Sequence, residues 1–92
     1  MARDVSIIYS PDARKDLLRL EKRVALRIVH KMVENAELSD PLVRAKPLAG
    51  VLAGKYRYRI GDYRVIFILD AEGRVCILTI LRIKHRKDVY RY

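Results

Sequence analysis

Residues 55–64 read Lys-Tyr-Arg-Tyr-Arg-Ile-Gly-Asp-Tyr-Arg, and three of their guanidiniums, on Arg57, Arg59 and Arg64, can be gathered on one sheet face. Ring or aliphatic residues alternate with arginine from Tyr56 to Ile60, the period-2 pattern of a half-buried strand. Gly61-Asp62 then supplies the positive φ that a tight hairpin turn needs. Tyr63 to Leu69 forms a second β-rich run. The turn fixes a register: Ile60 faces Tyr63, Arg59 faces Arg64, and Tyr58 faces Val65. Arg57 falls on the face of Arg59, diagonal to Arg64, while Tyr56, Tyr58 and Phe67 fall on the opposite face and are expected in the core. Like charges set opposite each other across a sheet are destabilising. An anion held between them removes that penalty, and guanidinium forks bind phosphate oxygens bidentately. The chemistry this pattern suits is the binding of a polyanion and the stabilisation of charge on a phosphate. The competing reading is an ordinary solvated sheet face.

The rest of the composition points the same way. The chain of 92 residues carries a formal net charge of +9 with a pI near 10.1, which suits an anionic partner. Residues 1–54 hold ten basic and seven acidic side chains, whereas residues 55–92 hold ten and four, so most of the surplus lies in the strand-rich half. Nucleic acid is the leading partner class and a small acidic protein the other. A length of 92 residues predicts one domain spanning 1–92. The longest uncharged apolar run, Val75 to Leu81, is too short to span a bilayer, and the N-terminus lacks the apolar stretch of a signal peptide, so the expectation is a cytoplasmic protein. Cys76, the single cysteine, sits in an apolar run and reads as a buried inert thiol.

The elements that must position the arginines follow in chain order. Val5 to Tyr9 reads as a strand. Ser10-Pro11-Asp12 signals a helix start, with serine as N-cap, proline in the first turn and an acid beside it. Helical apolar spacing then runs from Ala13 to Ala36. A single helix from Pro11 to Leu38 would be about 42 Å long, against a diameter of about 30–35 Å for a domain of this size, so a helical hairpin turning near Glu21–Arg23 is predicted. His30 falls on its polar side. Residues 41–54 read as a connection, the arginine hairpin follows, Asp70 to Gly73 turns the chain, and Val75 to Ile83 is a third strand before a polar tail from Lys84 to Tyr92. The predicted class is α+β: an N-terminal strand, a helical hairpin, then a three-stranded antiparallel meander and a short C-terminal tail.

Two segments carry a family resemblance: Tyr-Arg-Tyr-Arg-Ile-Gly-Asp-Tyr-Arg-Val-Ile-Phe and, about twenty residues on, Ile-Lys-His-Arg-Lys-Asp-Val-Tyr-Arg. Together the chain resembles the RelE/ParE toxin superfamily over nearly its whole length. That resemblance implies a βααβββ fold and a toxin of a type II toxin–antitoxin pair. It implies a ribosome-dependent endoribonuclease that cuts mRNA in the A site, the 2′-hydroxyl attacking the adjacent phosphate, with no metal or other cofactor. It also implies a cognate antitoxin as protein partner, the ribosome and mRNA as targets, and operator DNA reached only through the antitoxin complex. The family's basic positions fall on Arg57, Arg59, Arg64 and Lys84, and its C-terminal tyrosine falls on Tyr90. Lys55, Arg82, Arg86 and Lys87 flank these as expected RNA contacts.

Cleavage by an internal hydroxyl needs in-line positioning, a proton acceptor and stabilisation of an increasingly anionic phosphate. Arg57, Arg59 and Arg64 suit the last task. Some relatives place lysine where this chain has Arg59, and arginine does not give up its proton in proteins. The acceptor is therefore open between Lys84, His85 and a solvent-assisted path, with His85 favoured because unperturbed histidine titrates near neutrality. Tyr90 suits stacking on a base or orienting the phosphate. The sequence holds no metal-ligand spacing, glycine-rich phosphate loop or Ser–His–Asp set. Two other readings remain open: a ParE-like DNA gyrase inhibitor that cuts no RNA, and an inactive regulatory partner.

Overall fold

A computed structural model of the chain describes residues 4–88. Strand β1 (Asp4–Tyr9) leads into helix α1 (Pro11–Leu18), and after a three-residue turn helix α2 (Lys22–Ala36) runs back. A short strand β2 (Ala45–Pro47) and a 3₁₀ turn (Gly50–Leu52) precede β3 (Tyr56–Ile60), β4 (Tyr63–Glu72) and β5 (Val75–His85). Helix α1 starts where the cap signal lies: the Ser10 hydroxyl accepts the Ala13 amide at 3.1 Å and donates to the Leu81 carbonyl at 2.9 Å. The helical hairpin that the length argument predicts is present, but it turns at residues 19–21, slightly before the predicted Glu21–Arg23, and Lys22 and Arg23 already belong to α2.

The expected meander is present as β3–β4–β5, but it is the middle of a larger mixed sheet of order β1-β5-β4-β3-β2. Strand β1 pairs in parallel with β5, from Asp4 opposite Val75 to Tyr9 opposite Ile80. Strand β2, inside the stretch expected to be only a connection, pairs antiparallel with Tyr56–Tyr58. The third meander strand runs on through Lys84 and His85, two residues of the expected tail, because β4 continues to offer partners as far as Tyr63.

Helices and sheet close over a core of Ile28, Met32 and Ala36 from α2 and Tyr58, Val65, Phe67, Leu78 and Ile80 from the strands. Tyr58 stacks on Phe67 with centroids 4.3 Å apart, and its hydroxyl donates to the Pro41 carbonyl. Cys76 is buried on this face and His30 is exposed, as expected.

One irregularity matters for the site. Ile66 pairs with Arg82 but Phe67 pairs with Ile80, so Leu81 is an extra residue, a β-bulge in β5. Before it, Cys76, Leu78 and Ile80 are the buried positions; after it the buried position is Ile83. The bulge therefore flips the alternation, and Arg82 and Lys84 join the face of β4 that carries Arg64 rather than following Ile80 into the core.

Candidate nucleic-acid site on the open sheet face

The hairpin register is the one the Gly-Asp turn implies: Ile60 opposite Tyr63, Arg59 opposite Arg64, Tyr58 opposite Val65. Gly61 takes a φ of 58°, which a side chain would resist. Across the next pair, Arg64 stands opposite Lys84. Arg59, Arg64 and Lys84 thus form one row over three strands. The adjacent row on the same face is Arg57, Ile66 and Arg82, with Ile66 fully buried between the two arginines.

Arg64 is the centre of this arrangement. Its side chain is only 8% exposed, and its Nη1 donates to the carbonyls of Gly61 at 3.1 Å and Tyr63 at 3.0 Å, which lock it against its own hairpin. Burial, then the charges of Arg59, Arg57 and Arg86, push its pKa below the usual arginine value, while Asp62 pulls the other way. Among the described residues no carboxylate lies within ion-pairing distance of Arg57, Arg59 or Arg64. Among the described residues the three arginines of this face have no carboxylate paired to them, with Asp62 acting on Arg64 only from a distance, which is the electrostatic condition for holding an anion.

The turn after β5 closes the open end of the row. The Arg86 amide donates to the Asp62 carbonyl at 2.7 Å, and Arg86 Nε lies 3.8 Å from Asp62 Oδ1. Asp62, read from the sequence only as a turn residue, is the acid that tethers this segment beside Arg64. Lys87 is exposed two residues further on, and Lys55, half-buried, precedes β3 with the parity of Arg57.

Two expected site residues are placed differently. Arg82 Nε and Nη2 donate to Asp16 Oδ2 and Oδ1 of α1 at 2.9 and 3.1 Å. Its fork is thus taken up within the fold. His85 alternates to the face of Ile83, and its ring meets Tyr63 edge-on with centroids 5.4 Å apart. Its Nδ1 accepts the Lys87 amide at 3.2 Å. That nitrogen is thus engaged, while His85 lines one cleft with Tyr63, Arg82 and Lys84. Lys84 is the amine on the arginine row, and lysine, unlike arginine, can exchange its proton. Tyr90 lies outside the described residues.

Asp16 was not visible in the sequence as anything but a helix residue. Besides Arg82 it accepts the Ile83 amide at 2.8 Å. Burial alone would raise its pKa, but the bonds from Arg82 and Ile83, reinforced by the charges of Arg82 and Lys84, hold the carboxyl below the usual range. Among the described residues no three His, Cys, Asp or Glu side chains are grouped as a metal site, and no helix is long and apolar enough to cross a membrane.

A family model described as the ParE toxin of the type II toxin–antitoxin system parDE matches residues 7–90. The chain is 36% identical over 87 residues to Toxin RelG of Mycobacterium tuberculosis (strain ATCC 25618 / H37Rv), an alignment covering 94% of this chain and 95% of that protein. It is 38% identical over 77 residues to Toxin RelE of the same strain, covering 83% and 78%. Among solved structures it is similar to a chain of the RelBE2 toxin–antitoxin complex from M. tuberculosis, with a TM-score of 0.74, 31% identity and coverage of 94% and 100%. It is also similar to a chain of the archaeal RelE–RelB complex from Pyrococcus horikoshii OT3, with a TM-score of 0.64, 30% identity and coverage of 94% and 97%.

Proposed function

This chain belongs to the ParE toxin family of type II toxin–antitoxin systems, and from that premise we propose that it is a ribosome-dependent endoribonuclease that cuts mRNA in the A site. The observation that carries this reading is the row Arg59–Arg64–Lys84, flanked by Arg57 and free of acids paired to its guanidiniums. The scissile phosphate lies across Arg59 and Arg64. As the 2′-hydroxyl attacks, charge grows on the non-bridging oxygens, and donors already fixed in place stabilise it without reorganising. Arg64, locked by its own hairpin, is fixed in this sense. Lys84, as the neutral amine, takes the hydroxyl proton, the P–O5′ bond breaks, and the leaving 5′-oxygen takes up a proton from solvent, giving a 2′,3′-cyclic phosphate and a 5′-hydroxyl. No metal enters the step. Tyr90 orients the substrate, as the family resemblance implies, and Lys55, Arg86 and Lys87 bind flanking phosphates.

In this reading the chain works in the cytoplasm and is neutralised by a cognate antitoxin; the similar chains named above were solved in complexes with RelB-type partners. The test is to map mRNA ends in a translating extract with and without the protein. New ends at codon spacing on ribosome-bound messages are expected. An unchanged pattern in an extract that continues to translate would overturn the reading.

The description of the matching family as ParE favours a second reading, a gyrase inhibitor that cuts no RNA. Supercoiling and cleavage-complex assays with purified gyrase separate the two, and the first reading expects no effect there.

A further inference from the structure

Beside the site, on the outer edge of the sheet, lies a second basic feature that the cleavage step does not use. Strand β2 pairs only with Tyr56–Tyr58, so β3 runs past it and its last residues form a free edge. Facing that edge is a cleft of 270 Å³ lined by Arg27, Lys31 and Asn35 of α2, by Arg44, and by Arg59, Ile60 and Gly61 of the hairpin. Arg27 reaches from the helix to the turn: the place a Cβ would occupy at Gly61 is 3.5 Å from its Nη1 and 3.6 Å from its Cζ. Asn35, buried, receives Arg44 Nη1 on its Oδ1 at 3.4 Å. Glu34 is the nearby acid, bonded to Lys31 at 3.0 Å and 3.9 Å from Arg44. One carboxylate thus serves two of the four cations, and among the described residues none pairs with Arg27 or Arg59. Arg59 belongs both to this cleft and to the row with Arg64 and Lys84.

We propose that this cleft binds a phosphodiester of the same RNA strand, next to the one being cut, with Arg27 and Arg44 as its contacts and Arg59 shared between the two phosphates. The proposal rests on the endonuclease reading but concerns binding alone. A strand leaving the Arg59–Arg64 row over the hairpin edge meets these guanidiniums first, and two forks set around a concave edge suit the tetrahedral phosphate.

The test is fluorescence anisotropy with a short single-stranded RNA made non-cleavable by 2′-deoxy substitution, titrated between 50 and 200 mM salt. Each phosphate contact contributes roughly 0.7 to the slope of log affinity against log salt for single strands. Arg27→Gln is expected to flatten the slope by about that amount and to weaken binding about fivefold at 0.1 M salt, the conversion of that slope. Arg44→Gln is expected to act in the same direction, and Arg27→Lys, which keeps the charge, to restore most of the slope. Arg14→Gln, removing one charge from α1, is expected to leave the slope unchanged. Equal losses from Arg14→Gln and Arg27→Gln would reduce the effect to net charge and overturn the proposal. Unchanged binding by both cleft variants, or a loss seen only with ribosomes and not with the free RNA, would also overturn it. Because binding to a non-cleavable strand is measured, a chain that cuts nothing can still pass, and an active endonuclease whose binding is unmoved by Arg27→Gln and Arg44→Gln fails.

Discussion

Asp16 on α1 holds Arg82 on β5 through two parallel hydrogen bonds, at 2.9 and 3.1 Å, across 66 residues of sequence. Its Oδ2 also accepts the Ile83 amide. Strand β1 pairs with β5 only as far as Ile80, so Ile83 would otherwise present an unpaired donor on a buried stretch of edge. Helix α1 covers that edge and Asp16 satisfies it.

Asp16→Asn is therefore expected to destabilise the protein by about 1.5–3 kcal/mol at neutral pH, the range for hydrogen bonds to charged groups. The folded carboxyl is held below its ordinary value of roughly 3.9. Its contribution is thus full above that pH and is lost as the pH falls through the folded pKa. Urea unfolding at pH 7 and below pH 3 checks this: the gap between the wild type and Asp16→Asn should shrink in acid.

Arg64→Ala should lower RNA cleavage by about 10²–10³, the cost of removing one preorganised oxyanion donor. It should leave the melting temperature nearly unchanged. Two hydrogen bonds to carbonyls are lost, but so is the repulsion from Arg59, Arg57 and Arg86. Initial rates on a ribosome-bound message, with thermal melts alongside, decide the matter.

The Nδ1 of His85 accepts the Lys87 amide and so orders the turn that brings Arg86 to Asp62. Under the proposed cleavage, His85 is then expected to act as a positioning residue. His85→Ala should weaken cleavage several-fold, whereas His85→Asn, whose side-chain oxygen can take the same amide, should recover most of the activity. Were the imidazole the proton acceptor, Asn and Ala would be equally impaired by about 10²–10⁴.

Burial, helped by the nearby Cys76 and Asp40, raises the Tyr58 pKa to about 12. The folded value lies above the unfolded value near 10, so this residue's contribution is full below about pH 10 and lost as the pH rises through the folded pKa. Tyr58→Phe, which loses the bond to the Pro41 carbonyl, should cost about 0.5–1.5 kcal/mol at neutral pH and flatten the alkaline limb of the stability profile. Denaturant titrations between pH 7 and pH 11 read both effects.

What the residues settled alone was whatever depends on neighbours in the chain. The cap at Ser10, the helical hairpin, the Gly61-Asp62 turn and the Arg59–Arg64 register follow from dihedral preference and alternation over a few residues. The core roles of Tyr58 and Phe67 follow from the same alternation. Strand β2 was hidden because three residues containing a proline carry almost no periodic signal. The end of β5 was hidden because Lys84 and His85 read as polar tail. Strict alternation from Cys76 would even have sent Arg82 and Lys84 into the core; the extra residue at Leu81 redirects them, and a bulge is a property of two paired strands, not of one. The same holds for Asp16 with Arg82, Asp62 with Arg86, and Arg27 over Gly61. Each is a meeting of charges from different elements, decided by how strands and helices pack once the chain has closed.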